Sequence, residues 1–278
     1  MANKRLPLLV EPETLAESLD TPGLLIVDLS DADAYERAHI PGAVHLRYSD
    51  ILRQEGNAKG LMADVDTLSR VLSGLGMRSD CHVLACDNEG NGRASRFLWT
   101  LDALGHHDYS LLDGGMRAWV ADGYATESGP SPSVPPSEYH AALANPDVVA
   151  DKAFMLEHVN DDNTVILDAR SPAEYAGEDV RAARGGHIPG AVNLEWTEVM
   201  DPQHDSRLLP PEALREMLKD RGVTPDREVI THCQTHHRSG LTFFVMRYLG
   251  YPRVRGYAGS WSEWGNDPDV PITAGDRP

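Results

Sequence analysis

Cysteine is scarce in this chain: three in 278 residues, Cys81, Cys86 and Cys233, with no Cys-x-x-Cys pair among them. An odd, unpaired set excludes a disulfide framework and fits a structural zinc site poorly, so any cysteine chemistry is that of free thiols. Lysine is nearly absent, four against 21 arginines, and the 43 acidic residues leave a net charge of −18. A chain this acidic lacks the basic patches that nucleic acid or an anionic membrane would need, so neither is an expected partner. No run reaches the roughly 18 apolar residues of a transmembrane helix, and residues 6–10, the apolar stretch near the N-terminus, are too short for the core of a signal peptide. The cytoplasm is therefore the expected compartment, and no metal site is expected. The arginine excess suits recognition of carboxylates and other oxyanions.

What is present is a repeat. The length suits two domains, and His39-Ile40-Pro41-Gly42-Ala43-Val44 recurs as His187-Ile188-Pro189-Gly190-Ala191-Val192, 148 residues on. Leu25-Ile26-Val27-Asp28 matches Val165-Ile166-Leu167-Asp168 at an offset of 140, and Tyr35 matches Tyr175 at the same offset, so about eight residues are inserted within 176–186. Residues 82–86 resemble 228–232, and Gly114 and Trp119 match Gly259 and Trp264. Ordered blocks of this kind mark a duplicated domain: 1–126, a Pro/Ser-rich linker at 127–146 expected to run extended, and 147–278. Each copy alternates apolar runs of strand length with helical periodicity. Leu241, Phe244, Val245, Tyr248 and Leu249 predict one apolar helix face closed by Gly250. The expected class is α/β, two small parallel sheets flanked by helices.

Ligands of such sheets bind beyond the carboxyl ends of the strands. In the second copy that place holds Cys233-Gln234-Thr235-His236-His237-Arg238, a loop running into a helix expected to begin near Ser239. Successive backbone N–H groups of such a loop converge on one concavity, an anion nest. Those amides, the helix N-terminus and Arg238 all favour the thiolate of Cys233, which makes it the candidate nucleophile. Cys81 and Cys86 lack this context and read as core or strand-edge residues. His236 and His237 could serve as metal ligands or as an acid or base, but adjacent side chains diverge, and they are expected to face solvent or to act mildly through electrostatics.

The loop and the repeat carry a resemblance. Tyr35-x₃-His39-Ile40-Pro41-Gly42-Ala43-x₂-Leu46 resembles the N-terminal signature of the rhodanese-type sulfurtransferases. Val254-x₂-Tyr257-Ala258-Gly259-Ser260-Trp261-x-Glu263-Trp264 resembles their C-terminal signature. The resemblance implies two rhodanese-like domains, an inactive first one with Asp87 in place of the cysteine and a catalytic second one. It implies transfer of sulfane sulfur through a persulfide on Cys233, with Gln234, Thr235, His236, His237 and Arg238 binding the substrate or persulfide and no other cofactor. His39 and His187 then belong to scaffold turns. The Cys-Gln-Thr-His-His-Arg loop resembles a bacterial subgroup rather than the more familiar thiosulfate and mercaptopyruvate loops. Glu174 stands where the family often has a substrate-binding arginine, and a carboxylate there is expected to repel mercaptopyruvate. Arg238 is the expected replacement anion binder, and Arg181, Arg184 and Trp196 are further candidates at the pocket.

The expectation is thus a thiosulfate sulfurtransferase acting on small-molecule sulfur donors and acceptors, a monomer of two pseudo-symmetric domains. Mercaptopyruvate as donor, and a persulfide carrier serving protein partners, remain open alternatives. A phosphatase-like reading is opposed by spacing: Cys233 to Arg238 is Cys-x₄-Arg, one residue tighter than the Cys-x₅-Arg loops that cradle a whole phosphate.

Overall fold

Apolar runs that end in aspartate form interior strands of two parallel sheets, each beside the central strand. The structure, a computed structural model, describes residues 6–277. The first half of the chain carries β1 (Leu9–Val10), β2 (Leu24–Asp28), β3 (Val44–His45), β4 (Leu52–Glu55), β5 (Ala58–Met62), β6 (His82–Cys86) and β7 (Tyr109–Leu112). The second carries β8 (Val149–Ala150), β9 (Thr164–Asp168), β10 (Val192–Asn193), β11 (Met200–Asp201), β12 (Arg207–Leu208), β13 (Glu228–His232) and β14 (Val254–Tyr257). One sheet has the order β1-β7-β6-β2-β3 and the other β8-β14-β13-β9-β10, all pairings parallel. The two orders match strand for strand, as a duplication requires. All five residues of β9 are buried, the mark of a strand covered on both faces.

The repeated motifs are structural. Tyr35 donates its hydroxyl to the Ala43 carbonyl (2.5 Å), while His39 stacks on its ring and bonds its carbonyl through Nδ1. Tyr175, Ala191 and His187 repeat this, with the rings 3.7 Å apart. Gly42 and Gly190 both sit at φ +75°, where a side chain would be strained, which is why each turn needs glycine. His39 and His187 are thus scaffold, as expected. The cores repeat as well: Ile26, Tyr35, Leu84 and Trp119 cluster in one half, and Ile166, Tyr175, Ile230 and Trp264 in the other. Cutting a buried tryptophan such as Trp264 to alanine costs about 3–5 kcal/mol.

Two compact units result, but not the contiguous ones that the sequence suggests. The first is built from the chain up to Ile51, Ala63–Asn145 and Met200–Leu208; the second from Leu52–Met62, Pro146–Val199 and the chain from Leu209 on. The antiparallel hairpin β4–β5 thus belongs to the second unit and β11–β12 to the first, a departure from the boundaries 1–126 and 147–278. Between Glu127, which bridges His39, and Pro146, which opens a 3-10 turn, the linker forms neither helix nor strand, yet its end is tied down in the first unit. There Ser137 and Tyr139 donate backbone N–H groups to the carbonyl and hydroxyl of Ser73, on the helix Val65–Gly74.

The helix after β13 spans Arg238–Tyr248 and is buried at every position from Ser239 to Met246, not along one stripe. It packs against β13, β14 and the turn Trp196–Val199 at once, so no face of its middle is left to water.

Candidate active site

β13 delivers the chain to Cys233, whose side chain is fully buried at the carboxyl end of the strand. The loop to His237 then enters the helix, with His236 in the left-handed region at φ +56°. Three bonds from the segment after β14 hold this loop. Cys233 N–H donates to Ser260 Oγ at 3.3 Å, and the N–H groups of Trp261 and Ser262 donate to the carbonyls of Cys233 and Gln234, each at 2.9 Å. Ser260, itself at φ +52°, passes its own hydroxyl hydrogen to the Tyr257 carbonyl. The Tyr257–Trp261 signature is therefore the cradle of the loop.

The loop's side chains divide. His236 is wholly buried, with Nδ1 2.7 Å from Ser239 Oγ, which corrects the expectation that it faces solvent: its backbone conformation turns it inward toward the first helical turn. His237 is half-buried, its ring 5.8 Å from that of Trp196, so Trp196 does stand beside the loop. Gln234 donates Nε2 to the Arg181 carbonyl at 3.2 Å, bringing the inserted segment to the loop.

Arg238 does not present a free fork. Nη1 and Nη2 donate to Glu174 Oε2 and Oε1 at 2.6 and 2.8 Å, with Arg181 3.6 Å from Oε1. Glu174 sits at the third position of its helix in a capping box with Ser171, which aims its carboxylate. Burial would push that carboxyl up, but the hydrogen bonds and charge of Arg238 outweigh it and hold the group below the ordinary range. Glu174 is thus a compensated anion inside a cluster of two guanidinium groups, and the repulsion expected of it is damped.

Arg184, expected as a possible substrate ligand, is committed elsewhere. Its guanidinium donates to the carbonyls of Trp264, Asp267 and Val270, closing the end of the helix Ser260–Trp264. Orphan carbonyls at a helix C-terminus attract such a cation, so the role is structural.

At the carboxyl ends of β9 and β13 lies a buried set that sequence reasoning missed. Asp168 accepts from the N–H, Nε and Nη2 of Arg170 at 3.0, 3.0 and 2.6 Å, and His232 Nε2 lies 3.6 Å from it. Arg170 stacks on Trp261 at 4.3 Å. Burial holds His232 below the ordinary histidine range, against the pull of the Asp168 carboxylate. The signal in the sequence was the Asp-Ala-Arg string after β9, which the first copy replaces with Asp-Leu-Ser.

The first unit displays the same loop in another chemical state. Asp87, wholly buried at the end of β6, accepts the backbone N–H groups of Glu89, Asn91, Arg93 and Ala94 at 2.7–3.0 Å. Its own loop amides form the nest, and its carboxylate fills it. Cys81 and Cys86 are buried, Cys86 within the core, as expected. No group of metal-ligating side chains gathers among the described residues.

A rhodanese-like domain model matches residues 11–122 and again 152–267. The chain belongs to the rhodanese family. It is 45% identical over 271 residues to a thiosulfate sulfurtransferase of Pseudomonas aeruginosa, covering 96% of this chain and 97% of the relative. It is 32% identical to the sulfur carrier protein TtuD of Thermus thermophilus, covering 97% and 98%. Among solved structures, the 3-mercaptopyruvate sulfurtransferase SseA of Escherichia coli matches with a TM-score of 0.82 at 29% identity, covering 92% of this chain and 99% of that one. Both rhodanese domains carry the five-stranded parallel sheet, and the second alone carries a cysteine at the loop's head.

Proposed function

We propose that this chain is a thiosulfate sulfurtransferase whose sulfur carrier is Cys233. The observation that carries the reading is the pair of equivalent loops. In Asp87 the charged oxygen is the third atom out from Cα, after Cβ and Cγ; in a cysteine persulfide the charged outer sulfur is also third, after Cβ and Sγ. Four amides, two from the loop and two from the first helical turn, hold that position in the first unit. Thr235, His237 and Ser239 stand at the matching places for three of those donors in the second. An amide nest of this kind stabilises negative charge without reorganising at the moment of reaction.

The chemistry follows. The Cys233 thiolate attacks the outer sulfur of thiosulfate; the new S–S bond forms as the old one breaks, and sulfite leaves with the bonding pair. The persulfide anion then yields its outer sulfur to a thiophile such as cyanide, giving thiocyanate and restoring the thiolate. Charge balances in each half, and no cofactor beyond the persulfide takes part. Arg181 and Arg238 stand beside the loop paired with Asp179 and Glu174, so this cluster of four side chains carries no net charge. Two relatives at 45% and 46% identity bear the thiosulfate name, and with Glu174 neutralised the donor preference rests on them.

No helix among the described residues is long and apolar enough to cross a membrane. The reading places the protein in the cytoplasm as a monomer acting on small molecules. Steady-state thiosulfate:cyanide turnover, with mass spectrometry for a gain of about 32 Da on the Cys233 peptide, tests it. Fast turnover with the mass gain supports the enzyme. A stable persulfide with negligible turnover supports a carrier, and faster turnover with mercaptopyruvate overturns the choice of donor.

A further inference from the structure

Gly60 has an ordinary backbone conformation, so nothing in its dihedrals calls for glycine. Space does. A Cβ built there would lie 2.1 Å from the Thr235 carbonyl oxygen, 2.6 Å from its carbon and 2.9 Å from its Cα, all backbone atoms of the Cys233 loop. Next to it, Lys59 donates its N–H to Ser262 Oγ at 3.2 Å, and Ser262 N–H in turn donates to the Gln234 carbonyl at 2.9 Å. The strand that carries both, β5, comes from the first half of the chain, some 200 residues before Ser262.

We propose that the hairpin β4–β5 braces the Cys233 loop, with Gly60 as a positioning residue for sulfur transfer. The brace has two parts: steric contact of the Gly60 backbone with Thr235, and the hydrogen-bond chain Lys59–Ser262–Gln234. Each acts on a backbone group within two residues of the thiol, and neither touches substrate. The first half of the chain, whose own loop holds Asp87, thereby has a part in the reaction. The inference rests on Cys233 being the nucleophile.

The test is Gly60→Ala in the full chain. Because Cβ atoms essentially never approach within 3.0 Å of another heavy atom, the Thr235 peptide must move by roughly 1 Å, a displacement that costs an oriented site on the order of 10–100-fold. The single-turnover rate of persulfide formation with thiosulfate, read from the mass of the Cys233 peptide, is expected to fall by that factor. The rate at which iodoacetamide alkylates the buried thiol is expected to rise, with circular dichroism unchanged. Should Gly60→Ala fail to fold, Ser262→Ala replaces it: this removes the acceptor of the Lys59 N–H and keeps the bond to Gln234. Its persulfide formation is expected to slow about 3–10-fold, the worth of one hydrogen bond, with faster alkylation.

A folded Gly60→Ala protein, or failing that a Ser262→Ala protein, that matches wild type in both rates overturns the brace. If wild type itself gains no mass from thiosulfate, the sulfurtransferase reading is what fails. Alkylation alone then decides the brace: an unchanged rate overturns it and a raised rate sustains it.

Discussion

In the first unit β6 hands the chain to Asp87, and in the second β13 hands it to Cys233. Both residues are wholly buried at a strand's carboxyl end, and both head a loop that enters a helix. In one, the nest is filled by the side chain's own carboxylate. In the other, the side chain is one atom short, and on the proposed function the missing atom is the sulfur to be carried. The surroundings differ in the same sense: Ser30 and Cys86 accompany Asp28 where Arg170 and His232 accompany Asp168. A closed loop needs only to be stable; an open one must be held in shape from outside, by Arg170 stacked on Trp261, by Ser260 and by the hairpin.

The comparison breaks most directly at the thiol. Cys233→Ser is expected to abolish thiosulfate:cyanide turnover, by at least about 10³-fold, while Cys81→Ser with Cys86→Ser leaves it in place. Loss of turnover in that double variant, with circular dichroism unchanged, would show that one cysteine is not enough. The opposite loop is sharpened by Asp87→Ala. Removing a carboxylate that accepts from four amides, those of Asn91 and Ala94 buried, should cost about 3 kcal/mol, read from urea unfolding, with turnover by the folded protein retained. Equal stability would mean that the amides find water as readily as the carboxylate.

Arg238→Ala should lower kcat/KM for thiosulfate by roughly 10–150-fold, the scale of one charge-assisted hydrogen bond. It also strands the Glu174 carboxylate, so the double variant with Glu174→Gln should regain stability and not activity. Recovery of kcat/KM in the double variant would show that Arg238 serves Glu174 and not the donor.

The smallest effect concerns how each unit holds its hairpin. In the second unit a hydroxyl, Ser262 Oγ, accepts the hairpin's N–H; in the first a carboxylate does, Asp113 Oδ1 taking the Leu208 N–H at 2.8 Å. Burial pushes Asp113 up to about 6. A carboxyl raised in the fold binds its proton more tightly folded than unfolded. It therefore contributes stability that is fully present below the ordinary value of 3.8 and lost as the pH rises through about 6. Asp113→Asn should stabilise the protein at pH 7 by on the order of 1 kcal/mol, under the ceiling of about 3 set by the shift, and should flatten the stability profile between about pH 4 and 6. An unchanged profile in thermal melts would show that Asp113 does not titrate there.

Much of this was legible in the chain. The repeat offsets mapped one sheet onto the other, because the cores are built from local strand and helix patterns that duplication copied together. Cys233, the loop and the flanking signatures were readable for the same reason. What was hidden depends on side chains far apart in sequence. Arg238 and Glu174 are 64 residues apart, and only the fold turns a suspected repulsion into an ion pair. Gly60 is one of 24 glycines with nothing local to mark it. The inward turn of His236 is a matter of one backbone dihedral, which residue type does not announce.

The exchanged hairpins set a timetable for synthesis. The first unit spans residues up to Asn145 but also needs Met200–Leu208, so its last piece leaves the ribosome roughly sixty residues after the rest. At about 5–20 residues per second that is a wait of roughly 3–12 s. During that interval Asp113 has no Leu208 amide to accept, and the hairpin Leu52–Met62 waits longer still for the loop around Cys233. Neither half can be cut out as an independent fragment without taking a strand pair from its neighbour. A gene split at the linker would have to deliver both pieces to the same place before either was whole.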